Sequence, residues 1–403
     1  MINDIKNTVF FERKLHKELQ AHLKEKQVTI LTGMRRTGKT TLVNKLLSEL
    51  ESQNKVFLDF QNLTNRDIFL TRNYDDIIHT LKRQGLDSKQ KMYIAIDEIQ
   101  LVPESASAIK YLYDHYDIKF ILTGSSSYYL KNLFSESLAG RKQIFELFPL
   151  DFGEFLTFKS VSHGKRELKN ILVENFDEHE YSRLKSYYEE YIKYGGFPEV
   201  ALASNDEHKK RLLEDTLSSY INIDIKTLSD FKESTNIMNL VRMLADRVGT
   251  RLDVSKISRL VGLSRQTVQN YIDLFEKTYL IYTLPAYSGS TDREIVKAKK
   301  IYFSDGGLVT TLSQVSGGTL FENAIQNQLH RVGELAYYAL KTGREIDFVL
   351  DKKFGLEAKE SPTDSDLTTL GTIATKAGLK KYRLIGRHKS PKFRNYIWGG
   401  SIV

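Results

Sequence analysis

Cysteine is absent from the 403 residues, which excludes disulfides, thiolate-held zinc and iron–sulfur clusters and agrees with a reducing compartment. No apolar run approaches the roughly 20 residues that a membrane-spanning helix needs. Residues 1–15 alternate charged and apolar side chains with no apolar signal core. A cytoplasmic location with no membrane contact is therefore expected. Proline is scarce, at 6 residues, and the chain shows no fixed-period repeat or low-complexity linker, which removes solenoid and fibrous architectures.

What is present is ordinary globular composition, 41% hydrophobic and 27% charged, in a chain whose length suggests roughly two to four domains. A net charge of +8 and a pI near 9.1 make an anionic partner such as nucleic acid a candidate, with a lysine-rich solvated surface as the plainer account.

Over residues 1–150, short apolar runs alternate with amphipathic helical stretches. Val28–Thr32 precedes a helix from Lys39, 56–60 precedes a helix at 75–83, and 92–96 and 119–123 follow. That alternation predicts an α/β domain with a parallel sheet covered on both faces, its ligands at the carboxyl ends of the strands. Residues 151–250 read as helical, broken at Gly195, Gly196 and Pro198. Residues 253–282 read as helix, turn, helix, strand, with Gly262 in the turn and Ser264 capping the second helix. Beyond them the pattern predicts a strand at 301–303, a helix at 320–332, and a hairpin of 345–350 with 356–359 around a turn at 351–355.

Gly33-Met34-Arg35-Arg36-Thr37-Gly38-Lys39-Thr40 matches the P-loop pattern, lies after an apolar strand and opens a helix. Glycines let backbone N–H groups wrap phosphate oxygens, and the helix N-terminus adds partial positive charge. ATP or ADP is the expected ligand, on residues 33–40 and the adjoining Thr41. Lys39 is expected to neutralise the β- and γ-phosphates, and the Thr40 hydroxyl to be a ligand of Mg2+.

A second element should then exist, an apolar strand ending in a carboxylate beside the metal. Tyr93-Ile94-Ala95-Ile96-Asp97-Glu98 supplies it. Asp97 is the expected metal partner, and Glu98 the residue that orients or deprotonates the attacking water. Ser125 and Ser126, after the next strand, could bond the γ-phosphate or the water; the alternative makes them N-caps of a helix beginning near 128. Arg141 is the candidate arginine finger, in cis or from a neighbouring copy, and the second case requires a homo-oligomer.

These motifs, with 96–100 (IDEIQ), 122–127 (LTGSSS), 138–141 (LAGR), 195–199 (GGFPE), 300–305 (KIYFSD), 345–348 (EIDF) and 356–359 (LEAK), give the chain a resemblance to bacterial and archaeal AAA-type P-loop ATPases. The group is the ORC/STAND-related one, whose members end in a C-terminal domain of unknown function. The resemblance spans nearly the whole chain. It implies an AAA-like ATPase domain at 1–150, a helical lid or connector at 151–250, a winged-helix segment at 251–305 and a nuclease-like α/β domain at 306–403.

Two downstream expectations follow. Arg265, Gln266, Gln269 and Asn270 fall on the exposed side of the second helix of the helix–turn–helix stretch, and Lys297, Lys299 and Lys300 are candidate phosphate contacts, making DNA a candidate partner. In the C-terminal hairpin, alternation places Glu345, Asp347, Glu357 and Lys359 on one face, with Asp347 opposite Glu357. Asp347, Glu357 and Lys359, with Glu322 on the preceding helix, resemble the core of PD-(D/E)xK nucleases, in which acids hold magnesium and a lysine steadies the attacking water. The alternative is a charged strand face laced by Glu345–Lys359 and Asp347–Arg344 pairs. At the level of function, an ATPase acting on DNA stands against an ATP-dependent switch or assembly protein with no nuclease activity.

Overall fold

The computed structural model describes residues 10–125, 130, 134, 138–164, 175–226, 234–288 and 297–402. The chain divides into two compact units, Met1–Phe148 and Pro149–Val403. The segments 151–250, 251–305 and 306–403 all fall within the second.

The first unit is a parallel α/β sheet. Strands β1 (Val28–Thr32), β2 (Lys55–Asp59), β3 (Met92–Asp97), β4 (Ile118–Gly124) and β5 (Lys142–Glu146) are arranged β2-β3-β4-β1-β5, every pair parallel. β1 and β4 are buried along their whole length, whereas β2 is mostly half-buried and β5 carries exposed residues, as central and edge strands do. Successive side chains leave on opposite faces. Ile30, Ile94, Ile96, Phe120 and Leu122 join the core on one face. Leu31, Ala95 and Ile121 join the other, against Leu19 of α1 (Leu15–His22) and Leu42, Val43 and Leu46 of α2 (Lys39–Glu49). On that second face Lys119 is fully buried. Its ammonium donates to the carbonyls of His22 (2.8 Å), Glu25 (3.0 Å) and Gln27, tying the α1–β1 loop to β4.

Helix α3 (Leu63–Phe69) is started by Asn62, which accepts from Thr64 N. α4 (Asp75–Arg83) has Asp75 and Asp76 in its first turn and Lys82 and Arg83 in its last, the charge order that the helix dipole favours. α5 (Ser105–His115) completes this face.

The second unit begins with α6 (Phe152–Phe158), opened by a capping box of Asp151 and Glu154. It continues through α7 (Glu178–Tyr194), α8 (Pro198–Leu202), α9 (Asp206–Ser219) and α10 (Ser234–Ala245). α11 (Val254–Val261) ends on Gly262 in the left-handed region, and α12 (Arg265–Lys277) starts at Ser264, whose hydroxyl accepts from Thr267 N. An antiparallel pair follows, β6 (Ile281–Leu284) with β7 (Lys300–Phe303). Then come α13 (Gly306–Leu312) and α14 (Gly317–Leu329). The helix expected at 320–332 starts three residues earlier, because Ser316 caps it through Thr319 N and its two leading glycines continue the turn.

A second sheet, β12-β11-β10-β9-β8, closes the unit. β8 (Leu335–Ala339) and β10 (Phe354–Lys359) flank β9 (Glu345–Leu350) in antiparallel sense, and β11 (Lys381–Gly386) and β12 (Ile397–Trp398) run parallel to β10, with α15 (Asp364–Lys376) between β10 and β11. The GGFPE and KIYFSD stretches meet in the interior. Asp305 accepts from Gly196 N (2.6 Å) and, as cap of α13, from Gly307 N (2.8 Å). Gly195 has φ 76°, and a Cβ there would stand 1.8 Å from Asp305 Oδ1, so only glycine permits this approach. Burial raises the Asp305 carboxyl to about 6 against the pull of those N–H donors.

Candidate functional site

The P-loop leaves the carboxyl end of β1. Gly33 has φ 149°, and a Cβ on it would lie 2.1 Å from the carbonyl oxygen of Leu147. Thr37 Oγ1 donates to Met34 O (2.9 Å) inside the loop. Arg13 braces it from outside, one guanidinium nitrogen donating to Thr37 O (2.8 Å) and another to Phe148 O (2.7 Å). Nothing in the local pattern marks Arg13 for that task. Gly38, at φ 95°, caps α2. Lys39 is buried and its ammonium donates to Gly33 O (2.7 Å) and Met34 O (3.0 Å), which holds the charge over the loop. Thr41 faces outward.

Because β4 pairs with both β1 and β3, the carboxyl ends of all three meet here. Thr40 Oγ1 donates to Asp97 Oδ2 at 2.6 Å, and Thr123 Oγ1 donates to the other carboxylate oxygen. Glu98 follows at φ 55°, its N–H donating to Thr123 Oγ1 (3.2 Å). That left-handed turn directs Glu98 away from the strand. Gln100 Nε2 donates to Glu98 Oε2 and lies 3.4 Å from Ser125 Oγ, and an Arg35 guanidinium nitrogen lies 3.9 Å from Glu98 Oε1. Gln100 and Arg35 thus position the glutamate, roles that the spacing of the motifs does not reveal. Arg36 takes φ 66° within the loop. Ser125 is buried beside Gln100, and Ser126 lies outside the described residues.

Arg141 is not brought to this site. Its carbonyl accepts from Val28 N (2.8 Å) and its Nε lies 3.4 Å from Asp114 Oδ1. Val28 begins β1 and the P-loop follows its other end, so at about 3.3 Å per residue the two are separated by the length of the strand. The expectation of a finger acting in cis is corrected accordingly.

Among the described residues no group of three or more His, Asp or Glu is arranged to hold a metal ion. At the P-loop none is needed. Thr40 and Asp97 present a hydroxyl and a carboxylate side by side, all-oxygen donors suited to Mg2+, which keeps several waters and takes phosphate oxygens for the rest.

The C-terminal carboxylates form a second assembly. β9 and β10 pair Leu350 with Phe354 and Phe348 with Leu356, which carries Asp347 opposite Glu357. Asp347 N donates to Glu357 Oε2 (3.2 Å), and Ala358 N to Asp347 Oδ2 (3.0 Å). Glu322 comes from α14 and accepts from Tyr302 Oη (2.6 Å). Into this group projects Lys300 of β7, 1% exposed, its Nζ 2.7 Å from Glu345 Oε1, 3.4 Å from Glu322 Oε1 and 3.6 Å from Asp347 Oδ1. Lys300, a candidate DNA phosphate contact by sequence, is buried here and cannot reach one. Lys359 donates to Glu357 Oε1 (2.9 Å), and Glu345 takes Lys300 and Arg251 (3.0 Å), not the Lys359 of the alternative charged-face reading. Burial pushes the Glu322 and Glu357 carboxyls up, and the neighbouring Asp347 adds to the push. Burial alone would lower Lys300, but Glu322, Asp347 and Glu345 outweigh it and hold it above the usual lysine value. The place between Glu322 and Asp347 where a nuclease would hold its metal is taken by an ammonium, so these residues do not fit a divalent ion as they stand.

Arg265, Gln266, Gln269 and Asn270 are exposed on α12, with Gln266 bonded to Asn270 (2.8 Å) and Gln269 to Asp273 (2.9 Å); Lys297 and Lys299 are exposed too. No helix among the described residues is long and apolar enough to cross a membrane.

Comparison with known proteins bears on both units. Residues 25–156 match the AAA domain family. With the parallel sheet, that match supports an AAA-type P-loop ATPase fold for the first unit. Residues 185–319 match a domain family of unknown function, DUF8612. An uncharacterized protein of Methanocaldococcus jannaschii is 27% identical over 83% of this chain and 75% of its own. One of Haemophilus influenzae is 27% identical over 81% and 80%. Among solved structures, the Walker-type ATPase PABY2304 of Pyrococcus abyssi aligns with 77% of this chain and 99% of its own, at TM-score 0.48 and 16% identity. The Aeropyrum pernix ORC1 protein, solved in complex with DNA, aligns with 77% and 94% at TM-score 0.35 and 13% identity. Both alignments are too loose to carry more than a general likeness.

Proposed function

We propose that this chain is a magnesium-dependent ATPase of the AAA type that couples ATP binding and hydrolysis in its first unit to DNA contact through its second. The observation that carries the reading is the 2.6 Å bond from Thr40 to Asp97 directly below the P-loop, since it joins the phosphate-binding helix to the acidic strand end that hydrolysis needs. Backbone N–H groups of residues 33–40 and the Lys39 ammonium would bind the β- and γ-phosphates, with Thr40 and Asp97 holding the cation. Mg2+, when bound, offsets the negative charge of the triphosphate and of the departing diphosphate.

Glu98 then orients a water in line with the γ-phosphorus and takes up its proton. The bond from phosphorus to the bridging oxygen breaks, and ADP and inorganic phosphate result. Gln100 fixes the direction in which the Glu98 carboxylate points, and Ser125, 3.4 Å from Gln100 Nε2, is the hydroxyl available to the same network. A contribution from Arg141 would have to come from a neighbouring copy, which makes nucleotide-dependent sizing its test.

For DNA, support comes from the exposed polar edge of α12, preceded by α11 and a tight turn and followed by the β6–β7 pair, an order found in winged helices. The test is ATPase activity with and without single- and double-stranded DNA across a salt series. Stimulation that weakens with salt and is lost in Arg265→Ala supports the coupling. DNA-indifferent, salt-insensitive turnover would leave an ATP-driven switch or assembly protein, a reading that the Lys300-filled carboxylate cluster favours over a nuclease.

A further inference from the structure

We propose that Lys300 is the resident cation of the C-terminal carboxylate cluster, so that the PD-(D/E)xK-like residues of this chain hold an ammonium where a divalent metal would sit and serve as a charged joint between segment 251–305 and the last sheet. The inference does not depend on the ATPase reading.

Three observations carry it. Lys300 Nζ lies within 3.6 Å of carboxylates from two different elements, Glu322 of α14 and both Glu345 and Asp347 of β9. The side chain is shut off from solvent, and its backbone is fixed in a strand that pairs with Leu284 on one side and bridges to Arg251 on the other. Arg251 itself donates to Glu345, so two cations of the same segment grip the same carboxylate at the start of β9. Mg2+ or Mn2+ demands oxygen contacts near 2 Å, and an ammonium at the focus of the same oxygens blocks that approach by volume and by like charge.

The lysine of that pattern is likewise paired with a carboxylate of the cluster. Lys359 Nζ donates to Glu357 Oε1, beside the backbone exchange between Asp347 and Glu357. Charge is nearly balanced without an added ion, because Glu322, Glu345, Asp347 and Glu357 face Lys300, Arg251 and Lys359. Losing Lys300 would leave Glu322 and Asp347 in mutual repulsion, the situation that recruits a metal.

Mn2+ titration of the full-length, nucleotide-free protein by water-proton relaxation tests this, comparing wild type with Asp347→Asn and Lys300→Met. The proposal expects indistinguishable curves for wild type and Asp347→Asn. It expects Lys300→Met to melt lower than wild type, to gain one Mn2+ site, and to regain melting temperature when Mn2+ is added; Lys300→Met with Asp347→Asn should lack that site. A Mn2+ ion bound by wild type and lost in Asp347→Asn overturns the proposal, and so does a Lys300→Met protein that folds yet takes up no additional ion. Should Lys300→Met fail to fold, the comparison of wild type with Asp347→Asn decides alone.

Discussion

The hydroxyl of Thr40 donates to Asp97 Oδ2 across 2.6 Å, joining residues 57 positions apart at the carboxyl end of the sheet where the P-loop opens. Each is a candidate oxygen ligand for the same cation. Removing one should weaken the metal more than the nucleotide. For Thr40→Ala and Asp97→Asn, the Mg2+ concentration giving half-maximal ATPase activity should rise about 10- to 100-fold, the range seen when groups around a bound metal are removed. Magnesium titrations at fixed ATP measure it, and an unchanged midpoint would remove these residues from the metal site.

Glu98 and Gln100 separate chemistry from binding. Glu98→Gln should lower kcat by about 10^2- to 10^4-fold, the span of general-base catalysis, while ATP affinity stays within a few-fold. Gln100→Ala leaves the Glu98 carboxylate in place and removes the amide that donates to its Oε2 and reaches Ser125 Oγ, so kcat should fall by less with affinity again retained. Equal losses of affinity and kcat in either variant would point to a folding role instead.

Gly33 tests the loop geometry. A Cβ there meets the Leu147 carbonyl at 2.1 Å and the residue sits at φ 149°, so Gly33→Ala should cost roughly 1–3 kcal/mol of backbone strain and abolish nucleotide binding. Melting temperature and equilibrium dialysis check the two effects separately. Wild-type affinity in Gly33→Ala would mean that the loop can rebuild.

Asp305 links the second unit to pH. Its carboxyl, at about 6 in the fold against 3.8 when exposed, binds its proton more tightly in the native state. The stabilisation is therefore complete below about pH 4 and is lost as pH rises through 6. A shift of that size corresponds to roughly 3 kcal/mol. Asp305→Asn, which also loses an acceptor for Gly196 N or Gly307 N, should be less stable throughout but should lack this slope. Chemical denaturation of both proteins from pH 4 to 7 reads the difference, and parallel pH curves would refute the assignment.

The parts of this protein that could be read from residues alone are those whose causes are local. The P-loop declares itself in consecutive positions, β1 and β3 in continuous apolar runs, and the turn at Ser264 in a capping hydroxyl. The opposition of Asp347 and Glu357 follows from strand alternation around a single turn. What stayed hidden depends on distant chain. Arg141 reads as near the phosphates until β5 is seen beside β1, which puts it at the far end of the strand. Lys300 reads as a solvent lysine until α14 and β9 close over it. The direction of Glu98 rests on a left-handed turn and on a glutamine two residues later, and Arg13 ties the loop at Thr37 to Phe148 at the other end of the unit.

The most direct test of the account is calorimetric titration of nucleotide-free protein with ATP and Mg2+, wild type beside Lys39→Ala, under conditions where circular dichroism shows both folded. Wild type should bind one ATP per chain, and Lys39→Ala should bind at least tenfold more weakly, having lost the ammonium held over the loop at Gly33 and Met34. Absence of binding by the wild type, or equal affinity in the two proteins, would contradict the account.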